Sequence, residues 1–166
     1  MLRKMDLVKD LMIPLSDYST IKQSATLEEA VDLMYHSIKE KGYRTLAVLD
    51  DRGAIVGFLT SRAIFEALGK LAPKAGGWLG ISFNQPELFF WDGLKLIKDT
   101  PVKKLLRPVV DAYVRENDYP SKAVEMILKR GVTLLPVLDE QDKMVGVIRA
   151  NDLLPFIKKL FESNNA

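Results

Sequence analysis

The sequence predicts a mixed α/β (α+β) fold made of two similar βαββα repeats related by a pseudo-twofold axis. The first observation is a pattern at residues 46–68, where two short apolar runs flank a polar, turn-forming quartet and a run with helical spacing follows. This pattern is typical of a β-hairpin with an exit helix. The second observation is that the pattern returns 89 positions later, at residues 135–154. Because one repeat has too few strands to cover both faces of a sheet, we expect the two copies to pack together.

The segments before each hairpin extend the repeat. Residues 7–12 have helical spacing and Pro14 limits that helix, and residues 101–108 repeat this lead-in segment. Short strands are predicted at residues 18–21 and 111–114. Each repeat is thus expected to run helix, strand, helix, strand, strand, helix.

The long helix of each repeat has recognisable ends. Thr26 is the expected N-cap of the first, with acidic residues in the first turn, and Gly42 is the expected left-handed C-cap. In the second repeat Asp118 or Ser121 can cap the helix, which ends at Gly131. The spacing from the first helical alanine to the closing glycine is longer in the first repeat, which predicts about one extra helical turn there.

We divide the chain into a first repeat at residues 1–69, an insertion at 70–100 and a second repeat at 101–166. The insertion is rich in aromatic side chains: Trp78, Phe83, Phe89, Phe90 and Trp91. These residues either cover the protein's own core or contact a second copy, or they bind a separate partner protein, since aromatic residues concentrate at interface hot spots. A lipid-surface role is not expected, because the segment has no basic amphipathic face.

The composition limits the classes of partner that we expect and indicates the compartment. The 166 residues carry a net charge of +2 with acids and bases well mixed, so no nucleic-acid footprint is expected. The chain has no cysteine, which favours a reducing compartment. It shows neither the apolar core of a secretory signal at its start nor an apolar run long enough to span a membrane. We expect a cytoplasmic protein without a membrane partner.

Two ordered sets of short motifs resemble a known family, the cystathionine β-synthase (CBS) domain, whose tandem pair is called a Bateman module. The first set is VKDLM at 8–12, LEEAVDLM at 27–34, LAVLD at 46–50 and IVGFLT at 55–60. The second set is AVEMI at 123–127, GVTLLPVLD at 131–139 and MVGVI at 144–148. Each fragment alone is weak evidence for the family. Their order, spacing and duplication together identify the chain as similar to a stand-alone CBS pair.

The resemblance implies a regulatory, non-catalytic module. Members of this family bind adenosine-containing ligands such as AMP, ADP, ATP or S-adenosylmethionine in clefts between the repeats, and such pairs commonly form homodimers. The resemblance implies no required cofactor, and it implies an effector protein that reads the bound state. The alternative is a structural or protein-interaction pair that has lost nucleotide binding and acts through dimerisation.

The resemblance also implies a ligand site at the hairpin exit, where the family often has Thr/Ser-x-x-Asp. The aspartate would hold the ribose hydroxyls and the hydroxyl would lie near phosphate. Here the motif is split, because the first repeat keeps Thr60 but has Ala63, while the second keeps Asp152 but has Arg149. A carboxylate makes stronger, charge-assisted hydrogen bonds, so the resemblance favours the site that carries Asp152.

In that site Asp152 would bind ribose and Arg149 would contact phosphate with its planar guanidinium. The remaining expected contacts are the backbone of Thr133, Leu135 and Pro136 along the base, and Asn117 and Tyr119 on the other side. In the first repeat Thr60 is the expected contact. Each has a simpler interpretation. Asp152 and Thr60 could be helix caps, and Arg149 could be a solvated charge at a strand end.

Other residue patterns favour structural roles. The single histidine, His36, has no further ligands nearby in the sequence and is expected on a surface or in packing. The acidic pairs at residues 50–51 and 139–140 are expected to be solvated turn residues rather than a cation site. Gly57 and Gly146 lie within strand patterns, where either close packing or ligand access would require glycine.

An enzyme is not expected. The chain lacks a Gly-x-x-x-x-Gly-Lys-Ser/Thr loop, a His-Glu-x-x-His motif, a Gly-x-Ser-x-Gly motif and a cysteine nucleophile.

Overall fold

The computed structural model describes residues 6–71, 94–95, 97–108 and 112–163. The aromatic side chains of the insertion, from Trp78 to Trp91, lie outside the described residues, so their predicted role is not tested.

Five α-helices and eight strands have both ends within the described residues, joined in places by single turns of 3-10 helix. Leu94, Lys95 and Ile97 are also helical. The helices are α1 (Val8–Leu11), α2 (Leu27–Lys41), α3 (Ser61–Leu71), α4 (Pro120–Arg130) and α5 (Leu154–Ser163). The first four strands are β1 (Ile13–Pro14), β2 (Thr20–Lys22), β3 (Thr45–Leu49) and β4 (Ile55–Thr60). The last four are β5 (Arg107–Pro108), β6 (Val114–Arg115), β7 (Leu134–Leu138) and β8 (Met144–Arg149).

These elements form two compact units. The central unit is Ser19–Val109, and its sheet has the strand order β2-β3-β4-β5. The terminal unit combines Met1–Tyr18 with Val110–Ala166, and its sheet has the order β1-β8-β7-β6. Each sheet thus contains one parallel pair and a central antiparallel hairpin.

The two hairpins confirm the predicted repeat in detail. Val48 lies opposite Gly57 in β3 and β4, and Val137 lies opposite Gly146 in β7 and β8. Both hairpins also shift register at the same place, after Val48 and after Val137. The predicted α+β fold with two repeats is therefore correct.

The two lead-in segments are exchanged between the repeats. Strand β1, which precedes the first repeat, pairs with β8 of the second, and β5, which precedes the second repeat, pairs with β4 of the first. Each short strand brings a proline opposite a strand glycine, as Pro14 opposite Gly146 and Pro108 opposite Gly57. Proline is tolerated there because both lead-in strands lie at a sheet edge, where one backbone N–H is not needed for pairing. The boundaries of the compact units therefore differ from the boundaries of the sequence repeats at 1–69 and 101–166.

The long helices end as predicted. Thr26 caps α2 through a capping box, in which its hydroxyl oxygen accepts from the Glu29 backbone N–H and the Glu29 carboxylate accepts from the Thr26 N–H. Gly42 and Gly131 take left-handed φ values of 71° and 62° at the two C-caps. Helix α2 has 15 residues and α4 has 11, so the expected extra turn is confirmed.

Several predicted boundaries are wrong. The second lead-in segment forms one 3-10 turn, Val102–Lys104, instead of an α-helix. The N-cap of α4 is Tyr119, with Pro120 at the first helical position, and neither Asp118 nor Ser121 serves as the cap. The Asp118 carboxylate instead accepts from the Arg115 backbone N–H and from the Lys122 ammonium, so it closes the turn that precedes the helix.

Each unit has its own hydrophobic core. In the central unit the fully buried side chains Leu46, Val48 and Leu59 pack against α2 and α3. In the terminal unit Leu135, Val137 and Ile148 pack together with Val8 of α1. Val8 thus completes the core of a hairpin that lies more than 100 positions away in the chain. It reaches this core because the lead-in segments are exchanged between the repeats.

Candidate functional site

The predicted site of the terminal unit lies where β8 ends. The Arg149 guanidinium donates to the Asp152 carboxylate twice, from Nη2 to Oδ1 at 2.6 Å and from Nε to Oδ2 at 2.9 Å. The Arg149 backbone N–H also donates to Asp152 Oδ2 at 2.9 Å. The carboxylate therefore caps the 3-10 turn Ala150–Leu153 and forms a bidentate ion pair in the same place.

The ion pair is partly shielded from water. The Asp152 side chain is 12% exposed and the Arg149 side chain is 30% exposed. One of the simpler interpretations thus describes part of the geometry, since Asp152 does cap the turn. Arg149, however, is not a solvated charge, because its guanidinium is held against the carboxylate.

Strand β7 begins beside this ion pair. Leu134 pairs with Arg149, and the Thr133 carbonyl accepts from the Ala150 N–H at 2.9 Å. The structure therefore brings Thr133 together with Arg149 and Asp152. Leu135 and Pro136 follow on β7, but both are buried, and the Leu135 side chain belongs to the core. Only their backbone can face a ligand.

The structure does not bring Asn117 to this end of the sheet. Asn117 follows β6 and bonds Lys9 Nζ at 2.9 Å and Glu140 Oε1 at 3.2 Å, at the hairpin-turn end of β7. The five residues of β7 separate the two ends by about 13 Å, at roughly 3.3 Å per residue. Tyr119, which is 54% exposed at the start of α4, follows the same turn.

Tyr113 lies just before β6, whose Val114 pairs with Val137 of β7. The residue is 40% exposed, and its ring centroid lies 5.9 Å from the Arg115 guanidinium carbon. The ring is therefore next to the guanidinium that binds Asp139 and Asp142 at the hairpin-turn end of the sheet.

The central unit has a different arrangement at the equivalent position. The Thr60 hydroxyl oxygen accepts from the Ala63 backbone N–H at 3.1 Å and so caps the start of α3. Ala63 is buried within the core of this unit. An apolar methyl group therefore occupies the place where the second unit has the Asp152 carboxylate, and Thr60 acts as a cap.

The hairpin turns are held by their own aspartates. The Asp50 carboxylate accepts from the backbone N–H groups of Arg52 and Ala54, both at 2.8 Å, and Asp139 repeats this with Gln141 and Lys143 at 2.9 Å. These carboxylates are turn residues, as expected. Within the described ranges no group of three His, Asp or Glu side chains is placed to hold a metal ion.

Arg115 ties the second turn to β6. Its guanidinium donates to the Asp139 carbonyl and to the Asp142 carboxylate, each at 2.6 Å. The hydrogen bond with Asp142 raises the pKa of Arg115 above its ordinary value. The guanidinium fixes the turn end of the sheet through these two hydrogen bonds.

Two open grooves lie within single units. One, of about 490 Å³, runs along β2 and the start of α2 in the central unit. The other, of about 710 Å³, lies against α5 and is lined by Asn151, Leu154, Pro155, Ile157, Lys158 and Phe161. The second groove thus begins one residue before Asp152 and continues away from it along the helix.

Among the helices of the described residues, none is long and apolar enough to cross a bilayer.

The fold and the duplicated hairpin exit define a class of protein, the tandem CBS pair. The CBS domain family model matches the chain twice, over residues 8–70 and 99–159. The chain therefore belongs to the CBS domain family, as the motif order predicted.

Comparison with known proteins gives relatives of the same fold. The uncharacterised protein MJ1004 of Methanocaldococcus jannaschii is 24% identical over 156 residues, which are 93% of this chain and 58% of that protein. The chain thus spans little more than half the length of this curated relative. The structure of CBSX2 in complex with AMP superimposes with a TM-score of 0.65 at 21% identity, covering 93% of this chain and 97% of CBSX2. The cytosolic domain of the Mg²⁺ channel MgtE in complex with ATP gives 0.64 at 20% identity, covering 92% of this chain and 49% of the MgtE chain.

Proposed function

We propose that this protein is a regulatory module that binds an adenosine nucleotide at the Arg149–Asp152 end of the terminal unit. The observation that carries the proposal is the juxtaposition of a carboxylate and a guanidinium at the end of β8, next to the backbone of Thr133. A carboxylate suits a ribose diol and a guanidinium suits a phosphate. The AMP and ATP complexes of two proteins with the same fold support an adenosine ligand.

In this proposal the base lies along the start of β7, where backbone groups of Thr133, Leu135 and Pro136 provide its polar contacts. Asn117 and Tyr119 are not part of this proposal, because Asn117 lies at the hairpin-turn end of β7 and Tyr119 follows the same turn. The module acts without catalysis, as a cytoplasmic homodimer, and an effector protein reads the bound state. Binding changes that state only by its differential affinity for the two conformations of the module.

The proposal is tested by thermal denaturation with AMP, ADP, ATP and S-adenosylmethionine at millimolar concentration. A ligand present at 100 times its Kd is expected to raise the Tm by about 5 to 11 °C. Asp152→Asn should weaken binding about tenfold or more, because it replaces a charge-assisted acceptor with an amide that donates toward the ribose hydroxyls.

Asp142→Asn is the matched control, since Asp142 also pairs with an arginine at 2.6 Å but lies at the other end of the same sheet. It should leave ligand affinity unchanged. No stabilisation of the wild-type protein by any of the four ligands would contradict nucleotide sensing.

One observation favours the alternative, a structural pair that has lost its ligand and acts through dimerisation. Three donors of Arg149 already occupy the Asp152 carboxylate. The alternative predicts no ligand response together with a stable dimer mass in light scattering.

A further inference from the structure

The Arg149–Asp152 ion pair occupies the acceptors that a ribose would use. A carboxylate offers about four lone-pair positions, and Arg149 fills three of them through Nε, Nη2 and its backbone N–H. With only 12% of the Asp152 side chain exposed, little of the carboxylate faces solvent. A ribose diol must therefore displace the guanidinium before it can bind.

Displacement has different consequences for different ligands. A nucleoside carries no anion that could bind the displaced guanidinium. The exchange therefore replaces a bidentate ion pair with hydrogen bonds from two neutral ribose hydroxyls. A nucleotide carries its own anion, and a phosphate accepts the planar guanidinium fork as well as a carboxylate does. Only the phosphorylated ligand replaces both halves of the broken ion pair.

The backbone geometry allows this exchange without unfolding the turn. The Arg149 backbone N–H donates to Asp152 Oδ2, and this hydrogen bond does not depend on the position of the guanidinium. The 3-10 turn Ala150–Leu153 is held at its start by the Ala150 N–H, which donates to the Thr133 carbonyl. The arginine side chain can therefore rotate away while Asp152 keeps its place.

We propose that Arg149 is a specificity-determining residue that makes this site select nucleotides over nucleosides, because the ligand's phosphate must take over the guanidinium from Asp152. The inference rests on the proposed function and adds to it the phosphate requirement. It also assigns a role to the arginine that stands where the family often has threonine.

The test is calorimetric titration of AMP and adenosine into the wild-type protein, Arg149→Thr and Arg149→Lys. The wild-type protein should bind AMP at least about 50-fold more tightly than adenosine, since charge-assisted contacts contribute about 10- to 100-fold each. Arg149→Thr leaves the carboxylate open and removes the phosphate contact. Adenosine should then bind about tenfold more tightly and AMP more weakly, so that the two affinities lie within about fivefold.

Arg149→Lys keeps the charge but not the bidentate fork, and it should give an intermediate ratio while preserving the fold better than threonine does. Asp142→Asn breaks the other arginine pair of the unit and should leave the ratio at its wild-type value. Higher ionic strength should weaken AMP binding to the wild-type protein more than to Arg149→Thr.

The outcomes separate the inference from the function on which it rests. Equal binding of AMP and adenosine to the wild-type protein, or an unchanged ratio in Arg149→Thr, would overturn the inference and leave nucleotide sensing in place. Binding of adenosine by Arg149→Thr alone, with neither ligand bound by the wild type, would show that the arginine closes the site and would also overturn it. Absence of binding in all variants would overturn both.

Discussion

Leu135→Ala is expected to destabilise the terminal unit by about 3 to 4 kcal/mol, the range for truncating a fully buried leucine. Leu135 is 0% exposed, and its side chain packs in the core with Val8 and Ile148. Removal of three carbon atoms leaves a cavity between β7 and α1 that the short lead-in helix can fill only in part. The loss combines the transfer free energy of the removed atoms with the cost of the cavity.

Urea denaturation followed by circular dichroism measures the loss, and hydrogen exchange of the β7 and β8 amides locates it. Leu128→Ala is the control, because Leu128 lies on α4 of the same unit with 75% of its side chain exposed. It should change stability by less than about 0.5 kcal/mol. If Leu135→Ala were as mild as Leu128→Ala, the Leu135 side chain would not be a core residue.

Gly146→Ala is expected to cost about 3 kcal/mol, at the upper end for overpacking a core. A Cβ at this position would lie 2.6 Å from the Ile13 carbonyl oxygen and 2.8 Å from Met12 Sδ. The methionine side chain can move, but the carbonyl belongs to the backbone of β1. The added methyl group must therefore push β1 away from β8, and the pairing of Pro14 with Gly146 is lost.

Gly131→Ala separates this steric effect from the loss of glycine's flexibility. Gly131 has a left-handed φ of 62°, but an added Cβ would meet no atom within 4 Å. We expect a cost of about 1 kcal/mol from backbone strain alone. Both variants are compared in urea, with exchange of the Val147 amide as the local measure. Equal losses in the two variants would contradict the close approach of β1.

This geometry decides one question that the sequence left open. Gly57 and Gly146 were each compatible with close packing or with ligand access. At Gly146 the neighbouring atoms belong to Met12 and Ile13 of the lead-in segment, so close packing is the physical reason for the glycine.

The local geometry at the candidate site was predicted in part. The Thr/Ser-x-x-Asp spacing correctly placed Arg149 and Asp152 at the exit of the hairpin, because three residues span one turn there. Their mutual ion pair is equally local, and the same spacing could have predicted it. The position of Asn117 could not be predicted, since it depends on which end of β7 meets the residues after β6. The ligand-binding roles of all these residues remain predictions.

The sequence by itself determined the local structure: the two hairpins with their aspartate turns, the capping box at Thr26, the left-handed glycines that end α2 and α4, and the duplication that marks a CBS pair. Each of these depends on contacts between residues a few positions apart, which a sequence pattern records directly. Only the tertiary structure decided that each lead-in segment joins the sheet of the other repeat, that the Leu135 side chain belongs to the core, and that Asn117 lies away from Arg149 and Asp152. Those features depend on pairing between strands far apart in the chain, and edge strands two residues long carry too little pattern to specify their partner.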